Sequence, residues 1–127
     1  MITVSINSDS RYPVDRSSIR SVVRDVLSRY NITGDCEIDV SIVGRRKMTS
    51  LNQKYKGKDG ATDVLSFPLM EGDDSQSSPD GVLRLGDVVV CYPIAVEYAL
   101  KRQMLVDRVI GELVEHGCLH LVGVHHR

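Results

Sequence analysis

The spacing of apolar residues changes several times along the chain, and these changes divide it into strands and helices. In ITVSIN, residues 2–7, apolar and polar side chains alternate, which is typical of a strand with one buried face. The segment CEIDVSIV, residues 36–43, alternates in the same way. Between the two, apolar residues recur at the spacing of an amphipathic helix; they are Ile19, Val22, Val23, Val26, Leu27 and Tyr30. The pattern predicts a strand, a helix and a second strand.

The middle of the chain predicts a polar helix followed by two further strands. RRKMTSLNQKY, residues 45–55, has few apolar positions and is interpreted as a surface helix. Gly57 and Gly60 then mark a turn before a short strand that ends at Pro68. VLRLGDVVVC, residues 82–91, contains three consecutive valines, which favour a strand buried on both faces.

The remaining segments complete the fold prediction. Residues 71–80, EGDDSQSSPD, are acidic and rich in small polar residues, so they are expected to form a mobile surface loop. Residues 92–103 and 105–123 are predicted to be two helices. The resulting order, βαβαββαα, indicates an α/β (α+β) fold in which helices cover a single mixed sheet.

Composition gives expectations about the number of domains, the binding partners and the cellular compartment. With 127 residues and 42% hydrophobic residues, the chain is expected to form one domain, residues 1–127. The formal charge of −1 makes no general case for nucleic acid, although a local basic patch remains possible. Three cysteines, no signal-like start and no apolar run of membrane-spanning length predict a reduced, cytoplasmic protein without a membrane partner.

All four histidines lie within the last thirteen residues. His116 and His120 are four residues apart, so on a helix they are one turn apart and project in similar directions. Val109, Glu112 and Leu113 precede them on that face. We therefore expect the two imidazoles to emerge from the inner, largely apolar side of the helix and to bind one metal ion.

A third imidazole has to come from beyond the helix. In a continuous helix His126 would point away from His120, but Gly123 is placed to end the helix in a left-handed cap. The reversed chain can then return His126 to the first two histidines. His125 is not assigned as a ligand, and an exchange of His125 and His126 is the open alternative, as is a terminal histidine pair without any metal role.

Three neutral nitrogen ligands favour one Zn²⁺ per chain, although imidazole also accepts nickel, copper or iron. A fourth position left for water is typical of a catalytic rather than a structural zinc. Cys118 projects away from both helical histidines and is predicted to be a small buried side chain. The spacing is similar to that of the metzincin proteases, but Gly117 stands where their catalytic glutamate would be, which disfavours a peptidase.

Three segments together resemble the YbeY endoribonuclease family: HGCLHLVGVHH at 116–126, LNQKYKGKDGATDVLSFP at 51–68 and LGDVVVC at 85–91. The resemblance implies a mixed four-stranded sheet with surrounding helices. It also implies a zinc-dependent, single-strand-specific endoribonuclease that acts in maturation of small-subunit ribosomal RNA and in ribosome quality control. Its partners would be ribosomal RNA, the small ribosomal subunit and assembly factors. The zinc histidines of the family correspond to His116, His120 and His126.

The sequence departs from the family pattern in three ways. His125 occupies the position of an aspartate that usually precedes the third histidine. Lys56 corresponds to an arginine of the active-site groove; we assign it a catalytic role, in which it keeps the charge but lacks the bidentate fork. Family members usually continue into a further helix, whereas this sequence ends at Arg127.

Residues 45–58 contain six basic residues and no acidic residue before Asp59, which would make a positive surface for RNA beside the metal. Besides Lys56 they are Arg45, Arg46, Lys47, Lys54 and Lys58. A solvated helix face is the alternative. Tyr55 is the best-placed residue for stacking on an unpaired base. Glu112 could orient a ligand or accept a proton, or it could be an ordinary paired surface carboxylate.

Two other functions compete with the nuclease. The missing arginine and aspartate favour a catalytically weak ribosome-assembly or RNA-binding factor in which zinc is structural. A zinc hydrolase for a small molecule or peptide has only the metal site in its favour. RNA binding through several phosphates would weaken steeply with salt, which separates these classes.

Overall fold

The computed structural model describes residues 1–69 and 80–123 and contains four strands and four helices within those ranges. In chain order they are β1 (Ile2–Ser8), α1 (Arg16–Arg29), β2 (Cys36–Val43), α2 (Arg45–Lys56), β3 (Val64–Pro68), β4 (Leu83–Cys91), α3 (Tyr92–Arg102) and α4 (Val106–Leu121). This order is the predicted one. None of these helices is long and apolar enough to cross a bilayer. Nearly all of the predicted loop at 71–80, together with His125 and His126, lies outside the described residues.

The four strands form one mixed sheet in the order β1-β2-β4-β3. β1, β2 and β4 run parallel, and β3 runs antiparallel to β4 at the end of the sheet. The prediction of a mixed, four-stranded sheet is therefore confirmed. β3 is thus an outer strand of the sheet, and α4 packs against it.

Helices cover both faces of the sheet, but unequally. α1 and α4 pack on one face over the larger core, which includes Val23, Leu27, Val88 and Val90. α2 covers part of the other face over a smaller cluster; its buried members are Met48, Leu65, Val89, Cys91 and Ile94. The consecutive valines of β4 thus alternate between two cores, which confirms the predicted burial on both faces.

Candidate metal centre and adjoining cleft

His116 and His120 lie on the last turns of α4, with ring centroids 4.8 Å apart and ring planes at 66°. The prediction that they share one side of the helix is confirmed. The prediction that they emerge from its inner side is wrong for His116, which is exposed, while His120 is half-buried. The buried stripe of α4 passes through Gly117 and Cys118, so the two histidines project from its margin.

A glycine allows the histidine-bearing turn to lie directly on the sheet. A β-carbon at Gly117 would be 2.6 Å from Val88 Cγ1 and 3.3 Å from Ser66 Oγ, which leaves no room for a larger residue. The Ser66 hydroxyl donates a hydrogen bond of 3.1 Å to the Gly117 carbonyl. The sequence analysis noted Gly117 only because it stands where the metzincin proteases have a catalytic glutamate, and it did not select Ser66. Together they fasten α4 to β3 between the two histidines.

The end of α4 has the predicted conformation. The helix ends at Leu121, Val122 is its cap, and Gly123 has a φ of 88°, in the left-handed region. The Gly123 N–H donates a hydrogen bond of 3.1 Å to the His120 carbonyl. His126 lies beyond the described residues, so the third ligand stays a prediction. Within the described ranges, no three His, Cys, Asp or Glu side chains group as a metal site.

Lys56 lies in the same cleft as the two helical histidines. The cleft has a volume of about 310 Å³ and is lined by Lys56, His116, His120 and residues of β3. Lys56 is exposed, and its Nζ lies 5.4 Å from the centroid of the Phe67 ring. The structure therefore brings an ammonium group into the cleft of the two helical histidines, and its catalytic role stays a prediction.

Asn52 holds the loop between Lys56 and β3 in place. Its side chain is buried, with 5% exposed, and its amide Nδ2 donates a hydrogen bond of 3.0 Å to the Gly60 carbonyl. The backbone carbonyl of Asn52 accepts a hydrogen bond of 3.3 Å from the Lys58 backbone N–H. Sequence reasoning missed Asn52 because it lies in a polar helix; a single amide carries no signal of burial there.

The predicted basic surface divides into two groups at opposite ends of α2. Lys54 and Lys58 lie near Lys56, at the C-terminal end and on the loop that follows. The others lie at the N-terminal end and line a separate pocket of about 550 Å³ with Arg11 and Tyr12; they are Arg45, Arg46 and Lys47. Arg45 also forms an ion pair with Glu97. Since α2 has twelve residues, its ends are about 16 Å apart. The structure does not bring Arg45, Arg46 and Lys47 into the histidine cleft.

Two other side chains of α4 do not join the histidine cleft. Glu112 forms an ion pair of 2.9 Å with Arg102 and is exposed, which agrees with the expectation of a paired surface carboxylate. Cys118 is completely buried, and burial raises the pKa of its thiol to about 12. It is the small buried side chain that the sequence predicted.

Comparison with known proteins identifies the family. The family model described as endoribonuclease YbeY matches residues 5–127. An endoribonuclease YbeY of Acinetobacter baumannii strain AB307-0294 is 32% identical over 98% of this chain and 80% of its own length. That of Alkaliphilus metalliredigens is 36% identical over 94% and 79%. The solution structure of TM1509 from Thermotoga maritima has 28% identity and a TM-score of 0.58, covering 100% of this chain and 75% of its own. The chain belongs to the endoribonuclease YbeY family.

Proposed function

We propose that this protein is a zinc-dependent endoribonuclease that cleaves single-stranded RNA. Its cellular role would be in the cytoplasm, in the maturation of small-subunit ribosomal RNA and in ribosome quality control. Family membership supports the cleavage of RNA. The structural observation that carries the proposal is the cleft in which Lys56 lies beside His116 and His120.

The residues present fit a zinc ion. His116 and His120 place two imidazoles side by side on one helix, and nitrogen donors in this arrangement suit Zn²⁺. We assign His126 as the third ligand because it follows the left-handed turn at Gly123. A bound zinc would supply Lewis-acid chemistry at the scissile phosphate.

The side chains of the chain would bind and orient the RNA around this centre. The Lys56 ammonium would neutralise charge that develops on the phosphate oxygens. Lys54 and Lys58 would bind neighbouring phosphates, since both lie at the same end of α2. Ser66 would act as a positioning residue, because its bond to the Gly117 carbonyl holds the histidine-bearing turn against β3.

Cleavage and binding of one RNA, measured in parallel, test the proposal. A labelled single-stranded RNA should be cut by the wild type and by Lys101→Ala, whose exposed lysine lies on α3 outside the cleft. His116→Ala should lose cleavage while it still binds the RNA, and the same RNA in a duplex should stay intact. RNA binding without cleavage in the wild type would contradict the nuclease and favour the ribosome-assembly factor.

A further inference from the structure

A second groove lies on the α2 face of the sheet, separate from the histidine cleft. It has a volume of about 390 Å³, which is within the usual range for sites that bind small organic groups. Asp39, Ser41 and Asp87 contribute polar groups to its floor, and Tyr55 and Phe67 contribute aromatic rings. Polar groups beside aromatic faces are the composition expected of a ligand site rather than of a core.

Two carboxyl groups lie next to each other in this groove. Asp39 of β2 and Asp87 of β4 are directly paired in register and line the same groove. Burial, and then the neighbouring Asp39, raise the pKa of the Asp87 carboxyl. Asn7 and Ser41 line the same groove and add a side-chain amide and a hydroxyl to it. The floor therefore offers several hydrogen-bonding groups to a ligand.

The aromatic rings are arranged so that a planar group can reach them. Tyr55 and Phe67 meet edge to face, with centroids 5.3 Å apart and ring planes at 67°. Tyr55 is 56% exposed, and burial of an aromatic ring beneath a bound ligand would be energetically favourable. A ring that entered the groove could stack on Tyr55 while its polar edge faced the two aspartates.

The groove adjoins the histidine cleft across β3. Phe67 lines the groove, whereas Ser66 and Pro68, its neighbours in β3, line the cleft. Lys56 also lines the cleft, and its Nζ lies near the Phe67 ring. Lys54 Nζ lies 5.2 Å from the centroid of the Tyr55 ring. An RNA backbone that follows these lysines past the edge of β3 brings an adjacent base to the groove.

We propose that this groove binds an unpaired nucleobase of the RNA held in the histidine cleft, and that it prefers guanine. The inference rests on the proposed function and adds a base specificity to it. The Watson–Crick edge of guanine presents two adjacent donors, N1–H and the N2 amine, which match the two oxygens of a carboxylate. Adenine and cytosine present an acceptor beside their amine, and uracil flanks its single N–H with two carbonyls, so a carboxylate accepts them less well.

Charge favours a base over a basic side chain of a protein partner. Lys54 and Lys56 lie over the two aromatic rings and would repel a second cation that approached them. A nucleotide instead has a negative backbone for the lysines and a neutral ring with donor groups for the aspartates. The mixed charge of the site is therefore complementary to RNA.

The test uses short fluorescent single-stranded RNAs that differ at one central base and the full-length protein, with EDTA present so that the RNA stays intact. Anisotropy should give a Kd about tenfold lower for guanine than for adenine or for inosine, which lacks the N2 amine. Asp87→Asn and Asp39→Asn should each abolish this preference and leave the Kd for the adenine RNA within about twofold. Asp25→Asn, the same change at an exposed position on α1, should preserve it. Tyr55→Ala should weaken binding of all three RNAs, since stacking is tolerant of sequence.

The possible failures are distinguishable. Equal affinity for all three RNAs would overturn the guanine groove and leave the nuclease intact. No binding of any RNA, either in EDTA or with the zinc-loaded protein, would overturn both proposals. The alternative occupant is a basic side chain of a protein partner. It is tested by titrating argininamide and guanosine monophosphate separately into isotope-labelled protein. Amide shifts at Asp39 and Asp87 with guanosine monophosphate support the groove; shifts with argininamide alone would overturn it in favour of a protein-docking surface.

Discussion

Gly117 of α4 packs so closely on Val88 of β4 that a β-carbon at position 117 would lie 2.6 Å from Val88 Cγ1. Gly117→Ala should therefore push the histidine-bearing turn away from the sheet. We expect the free energy of unfolding to fall by about 1–3 kcal/mol, as for other overpacked cores. Zinc affinity should fall with it, because His116 and His120 flank the displaced residue. Urea denaturation and a competitive zinc titration measure the two effects.

Gly111 provides the matched control on the same helix. A β-carbon there would meet only Val22 Cγ2, at an ordinary 3.6 Å. Gly111→Ala should leave zinc affinity unchanged and should stabilise the protein by up to about 1 kcal/mol, since alanine is the better helix former. If the two substitutions lower stability equally, close packing at Gly117 is not the cause of its effect.

The choice between His125 and His126 as the third ligand is open to direct measurement. We expect one zinc per chain in the wild type, little zinc in His116→Ala, His120→Ala or His126→Ala, and nearly full zinc in His125→Ala. Elemental analysis of untagged protein measures each value. Undiminished zinc in His120→Ala would contradict the site, and an empty site in His125→Ala alone would show that the wrong member of the pair was chosen.

Asp87 should make stability depend on pH. Folding raises the pKa of its carboxyl above the ordinary value of 3.8, through burial and the neighbouring Asp39. The folded state therefore favours neutral Asp87; this contribution to stability is fully present below the unfolded pKa and is lost as pH rises through the folded pKa. Asp87→Asn, which stays neutral, should raise the melting temperature relative to wild type at pH 7, and the gain should shrink as pH falls towards 4.

Thermal melts of both proteins across this range measure the effect. Asp25→Asn, at an exposed position on α1 where Asp25 pairs with Arg29, is measured alongside as the same substitution outside the groove. If Asp87→Asn raised the melting temperature equally at every pH, the Asp87 carboxyl of the wild type would have the same pKa in the folded and unfolded chains.

Lys56 should limit the rate of cleavage. A lysine in place of the arginine of the family acts as a point charge and does not grip a phosphate with two parallel bonds. Lys56→Arg should raise the single-turnover rate on single-stranded RNA, and Lys56→Ala should lower it. The opposite order would show that lysine is the adapted residue at this position.

Local patterns in the sequence predicted most of the fold because each element carries its own periodicity. The alternation of Ile38, Val40 and Ile42 indicates a half-buried strand without any knowledge of its partners, and the glycine at 123 indicates a helix end in the same way. The exposure of His116 was not predictable at this level. It depends on how α4 packs on the sheet, and that packing includes the close approach of Gly117 to Val88, which joins residues far apart in the sequence.

The guanine groove is a long-range feature, and the sequence contains only a weak sign of it. Asp87 stands out as a carboxylate beside a run of valines in a strand buried on both faces. Its pairing with Asp39 requires the parallel register of β2 and β4, and the register shifts between Glu37 and Ile38, just before Asp39. The pattern of residues along one strand does not predict how that strand is aligned with its neighbour.

Zinc-dependent cleavage is the critical measurement for a catalytic metal centre at the end of α4. The wild type is first depleted of metal, its cleavage of a labelled single-stranded RNA is measured under single-turnover conditions, and one equivalent of Zn²⁺ is then added back; His116→Ala is treated in the same way. Depletion should abolish cleavage, and added zinc should restore it in the wild type but not in His116→Ala. Equal cleavage with and without zinc, or full restoration in His116→Ala, would contradict a metal centre at this helix as the source of the nuclease activity.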